Sequence, residues 1–126
     1  MPHTLKVLDY HHLVTTVGNT YTSKPASASI KWLIKKAKLA YTLAVGGGTT
    51  TLTVQLSDGV NTIQLFTVSA TSNTSGSVEL CTGAGGIGDL NNAVIDYATA
   101  YLQVVASPSV TSTVTYQLYL AGDEES

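Results

Sequence analysis

Residues 50–68 read TTLTVQLSDGVNTIQLFTV, and the fold turns on them. Leu52, Val54 and Leu56 alternate with Thr51, Thr53 and Gln55, Asp58-Gly59 interrupts the run, and alternation resumes around Ile63 and Leu65. Successive side chains of an extended strand point to opposite faces, so a period of two puts an apolar row on one side and Thr and Gln on the other. Asp-Gly readily supplies the positive φ angles of a tight turn. The stretch therefore predicts a β-hairpin that buries one face.

Working outward, residues 98–122, ATAYLQVVASPSVTSTVTYQLYLAG, show the same pattern. Leu102, Val104 and Ala106 lead to a Ser-Pro-Ser turn, and Val114, Tyr116, Leu118 and Leu120 return, which predicts a second hairpin. Residues 30–45, IKWLIKKAKLAYTLAV, fit two periods. Ala37, Leu39, Tyr41, Leu43 and Val45 predict a long strand running into the glycines 46–48, whereas Ile30, Leu33, Ile34 and Ala37 leave a short helix over 28–36 open. With an N-terminal strand near residues 4–14, about seven or eight strands are expected. Short, regularly spaced strands of this kind predict an all-β fold, an antiparallel β-sandwich or jelly-roll-like arrangement. The expected organisation is one domain: residues 1–30 as an extended N-terminal arm with the first strand, 31–122 as the sandwich core, and 123–126 as a solvated acidic tail.

Composition agrees with this reading. The 126 residues include six Lys, no Arg and eight acids, for a net charge of −2, with abundant Thr, Ser, Gly and Val. Thr and Val suit a half-buried pleated surface, and Gly and Ser its turns. A chain of this size buries a core without a disulfide or structural metal. The lone Cys81 excludes an internal disulfide and reads as a small core residue. Weak negative charge and no arginine argue against nucleic-acid binding, which relies on clustered Lys and Arg at phosphates; Lys31, Lys35, Lys36 and Lys38 form the single basic cluster. The first residues lack the basic and apolar regions of a secretory signal, and no apolar run reaches the roughly 20 residues that span a bilayer. A soluble product made in the cytoplasm, with no membrane partner, is expected.

Gly83, Gly85 and Gly88 in CTGAGGIGDL, residues 81–90, match the G-x-G-x-x-G spacing of dinucleotide-binding loops. Such a loop works only after a first parallel strand and before a crossover helix, with an acid about 20 residues further on. Here the pattern sits late and runs into strand-like chain, although Leu90, Val94, Tyr97 and Tyr101 leave a helical turn conceivable. The expectation is a connecting loop and no cofactor. His11 and His12 are adjacent, so on a strand they point to opposite faces and do not share a metal ion; His3 is remote. Asp58 belongs to its turn, Glu79 is expected to face solvent, and nothing brings Asp89 or Asp96 together with another acid. No catalytic or metal-binding residues are expected. Tyrosines, with Trp32 and Phe66, are expected mainly in the core and at sheet edges.

The run LTVQLSDGVNTIQLFTV, a Ser/Thr/Gly-rich loop and ATAYLQVVASPSVTSTVTYQLYLAG together resemble the small β-sandwich virion proteins of tailed bacteriophages: capsid decoration (cement) proteins, head fibres and tail accessory domains. The resemblance covers roughly residues 37–122. It departs from the commoner version in having Gln103 where Arg often stands and no Trp after the Asp-Gly turn. It implies a non-enzymatic role in the virion, as a capsid decoration protein that stabilises the lattice. The implied partners are copies of itself in a homotrimer and major capsid or other virion proteins, with a glycan-binding tail or adhesin module as the alternative. The contacts are expected from the arm and one sheet edge, with Tyr10, His11, His12, Tyr21 and Trp32 as the arm's contact residues.

Overall fold

The computed structural model describes residues 6–81 and 90–125. Nine strands occur among them: β1 (Lys6–Thr15), β2 (Asn19–Ser23), β3 (Lys31–Ala44), β4 (Thr50–Ser57), β5 (Thr62–Ala70), β6 (Thr74–Glu79), β7 (Val94–Ile95), β8 (Tyr101–Ser107) and β9 (Thr113–Glu125). They form two antiparallel sheets. The first has the order β1-β9-β3-β6, with β7 also paired to β3; the second has the order β2-β8-β4-β5. The chain is an all-β, two-sheet sandwich, and no helix lies among the described residues.

The hairpin over residues 50–68 is present as β4 and β5, paired from Thr50↔Ala70 to Ser57↔Thr62. Asp58 Oδ1 accepts the N–H groups of Val60 at 2.8 Å and Asn61 at 2.6 Å, and Gly59 takes φ +93°. The second expected hairpin does not form. β8 pairs with β2 and β4 in one sheet, and β9 pairs with β1 and β3 in the other. Alternation in 98–122 fixes which face of each strand is buried, and two strands with buried faces satisfy it equally well by lying across the core from one another.

That crossing recurs through the chain. β1 leads to β2, β3 to β4, β5 to β6 and β8 to β9, and each step passes from the first sheet to the second or back. Leu39, Leu43, Val114, Leu118 and Leu120 of the first sheet and Leu52, Val54, Leu102, Val104 and Ala106 of the second belong to one buried core.

The helix left open over 28–36 is replaced by β3, whose pattern imitates a helix for an identifiable reason. Pairing with β9 shifts register between Ile34 and Lys36, so Lys35 is an extra residue. Trp32 and Ile34 are buried before the bulge, and Ala37, Leu39 and Leu43 after it. The spacing of three at the bulge resembles a helical turn, though it comes from a local change of strand parity. Gly122, opposite Ile34, makes room for it: a Cβ there would collide with the backbone oxygen of Leu33.

Residues 6–23 and 123–125 are more integrated than the sequence suggests. The expected arm, where described, supplies β1 and β2, the edge strands that line one side of the sandwich. The expected acidic tail continues β9, with Asp123, Glu124 and Glu125 opposite Leu33, Trp32 and Lys31. Lys6 Nζ meets Glu124 Oε2 at 2.6 Å. Cross-strand lysines give these acids a reason to stay in the sheet. None of the four strands of the second sheet contains Lys, Asp or Glu.

Gly122→Ala is expected to lower stability by about 2–4 kcal/mol in denaturant unfolding, because the collision is with backbone rather than a mobile side chain. Gly47→Ala, where an added Cβ meets nothing within 4 Å, serves as the control and should change little.

Candidate interaction site at the first strand pair

β1 turns alternate residues in and out after the register shift between Val7 and Asp9. Asp9, His11 and Leu13 face inward and are partly buried, and Thr15 is buried; Tyr10, His12 and Val14 are exposed. The inward set meets β2. Asp9 Oδ2 accepts the hydroxyl of Tyr21 at 2.6 Å and that of Ser23 at 2.5 Å. The His11 ring stacks on the Tyr21 ring with centroids 3.6 Å apart and planes 5° from parallel, and lies 5.7 Å from the Tyr116 ring. One carboxylate and two rings thus clasp the edge of one sheet to the edge of the other.

The electrostatics of this clasp are those of a structural joint. Burial, then the hydrogen bond to Asp9, pushes the Tyr21 hydroxyl well above its ordinary value. Burial, then the Asp9 charge, pushes Tyr116 up to about 12. Both phenols therefore stay protonated at neutral pH, which suits the Tyr21 hydroxyl to donate to the Asp9 carboxylate and disfavours base or nucleophile chemistry. The Tyr116 hydroxyl is buried and has no hydrogen-bond partner among the described residues.

The outward set is different in kind. Tyr10 is 55% and Val14 59% exposed, with Val7 and Val17 also exposed near the two ends of the strand. Tyr10 lies opposite Tyr119, which lies opposite Lys38, itself opposite Glu79. His12 continues this outer face opposite Gln117. This face thus exposes apolar and aromatic groups beside polar neighbours.

The five residues expected at an interface therefore separate. Tyr10 and His12 are on the outer face of β1. His11 and Tyr21 stack on each other within the clasp. Trp32 is only 6% exposed and sits in the core on β3, so its ring is not presented to a partner. The bulge at Lys35 is the reason, since Trp32 and Ile34 lie on its inward parity. Asp9, Ser23 and Tyr116 were not singled out by sequence reasoning. The available signal was an acid in the inward register of β1, in line with His11, Leu13 and Thr15.

Other candidate chemistry resolves into local structure. Asp96 Oδ1 accepts N–H groups from Thr99, Ala100 and Ala98 at 2.6, 2.9 and 3.1 Å, and Oδ2 accepts the Thr99 hydroxyl at 2.5 Å. These bonds, the Thr99 hydroxyl foremost, pull its carboxyl down to about 2. Asp58 is likewise held below its ordinary value by the N–H groups of Asn61 and Val60. Gly83, Gly85, Gly88 and Asp89 lie outside the described residues, as does His3. The flanks of the glycine segment are joined, the Leu90 N–H donating to the Leu80 oxygen at 2.6 Å. They lead into an antiparallel sheet rather than a parallel strand and helix, and residues 90–100 contain turns and β7 in place of the conceivable helical turn. Among the described residues no group of three or more His, Cys, Asp or Glu is placed to hold a metal ion, and no helix is long and apolar enough to cross a membrane.

Fold and site together define a two-sheet β-sandwich whose first strand has a clasped inner face and an exposed outer one. No protein-family model matches the chain, and no curated protein matches it.

Asp9→Ala removes the acceptor of two part-buried hydroxyls and is expected to cost about 2–3 kcal/mol in denaturant unfolding. Tyr21 and Tyr116 hold their protons more tightly folded than unfolded, so the stability they confer is complete below pH 10 and is lost as pH rises toward 12. Equilibrium unfolding across that range should show the fall, and Tyr116→Phe should flatten it while leaving neutral-pH stability unchanged or higher.

Proposed function

We propose that the protein is a non-enzymatic virion structural subunit, a capsid decoration protein of the tailed-phage kind, that attaches to a capsid lattice through the outer face of β1. The observation that carries this reading is the strand order. Sheets ordered β1-β9-β3-β6 and β2-β8-β4-β5, with consecutive strands arching across the core, support a jelly-roll-like reading of the sandwich, an architecture recurrent in viral coat and lectin domains. Because one fold hosts many roles, the step from fold to virion is an analogy, supported by the resemblance over residues 37–122. The exposed Tyr10, His12 and Val14 supply a contact surface on a strand held rigid from behind by the Asp9 clasp.

A glycan-binding module is the second reading, favoured by the surface tyrosines beside Lys24. Lys24 Nζ lies 4.1 Å from the Tyr97 ring centroid and 5.1 Å from that of Tyr101, and Tyr97 is 41% exposed. An aromatic ring fixed in place by a cation offers a flat surface for a sugar.

The capsid reading expects the chain on purified particles in symmetric copies by cryo-electron microscopy. Tyr10→Ser combined with Val14→Ser should abolish attachment while the purified variant keeps its circular-dichroism spectrum and melting temperature. A chain absent from the particles overturns the reading. For the glycan reading, a glycan array should give hits that Tyr97→Ala loses, and an array without hits removes it.

A further inference from the structure

The geometry points to a second copy of this chain as the partner of β5, added antiparallel to the free edge of the second sheet. β5 is an end strand, paired on one side with β4 and on the other with no strand among the described residues. Edge strands carry a row of unpaired N–H and C=O groups, and folded proteins guard them with charge, proline, shortness or a bulge. The other three edges are guarded. β1 carries Lys6 and Asp9 and is clasped to β2, β2 has five residues, and β6 has six with Gly76 and Glu79. β5 has nine residues, TIQLFTVSA, with no charge and no proline. Its one guard is the register shift that sets Leu65 apart, since Val54 pairs with Phe66 and Gln55 with Gln64. Residues 66–70 beyond it are a regular, uncharged edge.

The occupant follows from self-complementarity. A two-fold axis requires a strand to accept its own sequence in reverse. Centred on Val68, such pairing sets Phe66 opposite Ala70 on the inner face and Thr67 opposite Ser69 on the outer face, so buried residues meet buried and hydroxyls meet hydroxyls. Phe66 and Ala70 are buried, whereas Thr67 and Ser69 are exposed. Hydroxyls both donate and accept, and this face already uses that property: Thr53 bonds Thr67 and Thr51 bonds Ser69, each at 3.0 Å. Gln55 Nε2 likewise donates to Gln103 Oε1 at 3.0 Å. A second β5 would extend these rows. Two copies of an uncharged sheet meet here without like-charge repulsion, although the chain as a whole is negative.

This pairing goes beyond the virion reading and stands without it, because it is measured on the purified chain rather than on particles. Light scattering over a concentration series should reveal a reversible dimer. In Thr67→Lys/Ser69→Lys, whose lysines would face each other across the two-fold, the dissociation constant should rise about tenfold or more. Hydrogen exchange on the unaltered chain should show amides within residues 66–70 slowed as concentration increases. A chain monomeric at every concentration overturns the inference, as does a variant that associates as well as the original. Association as a trimer or dimer that leaves 66–70 unslowed overturns it too. If the double variant loses its fold by circular dichroism, the exchange result on the unaltered chain decides alone.

Discussion

The structure depends on burying two apolar sheet faces against each other, and the chain meets that demand by arching. In six of the eight connections between the described strands a strand ends, the chain passes to the other side of the core, and the next strand lies in the opposite sheet. The arch from β3 to β4 places Leu39 and Leu43 in one core with Leu52 and Val54. Sheet-on-sheet packing of this kind fixes register strongly, because a slip by one residue would turn an entire apolar row to water. The bulge at Lys35, with Gly122 opposite, lets one long strand change parity and still keep Trp32, Ile34, Ala37 and Leu39 inside.

Charge is distributed with the same economy. All charged strand residues belong to the first sheet, and the second is built from apolar side chains, hydroxyls and amides alone. Its outer face carries cross-strand hydrogen bonds between neutral groups, Thr51 with Ser69, Thr53 with Thr67 and Gln55 with Gln103. Three of the eight acids are committed to geometry: Asp58 and Asp96 organise turns, and Asp9 ties two edges together.

The first strand shows how one element serves both ends. The pleat that turns Asp9 and His11 toward β2 turns Tyr10 and His12 to solvent. Clasping the inner face therefore stiffens the outer one, and ordering entropy that a loose arm would lose on docking is already spent in folding.

Strand character, the hairpin at 58–59, the apolar parity of β4, β8 and β9 and the opposed faces of His11 and His12 were all legible in the sequence, because they follow from local alternation and turn chemistry. The role of Asp58 was legible for the same reason. The sequence could not decide that β8 and β9 belong to different sheets, since burial of a face is indifferent to whether the partner lies beside the strand or across the core. Nor could it decide that Trp32 is interior, that Asp9 closes an edge with Tyr21 and Ser23, or that the acidic end continues a strand. Those outcomes depend on a bulge and on contacts between residues distant along the chain, and only packing in three dimensions brings them together.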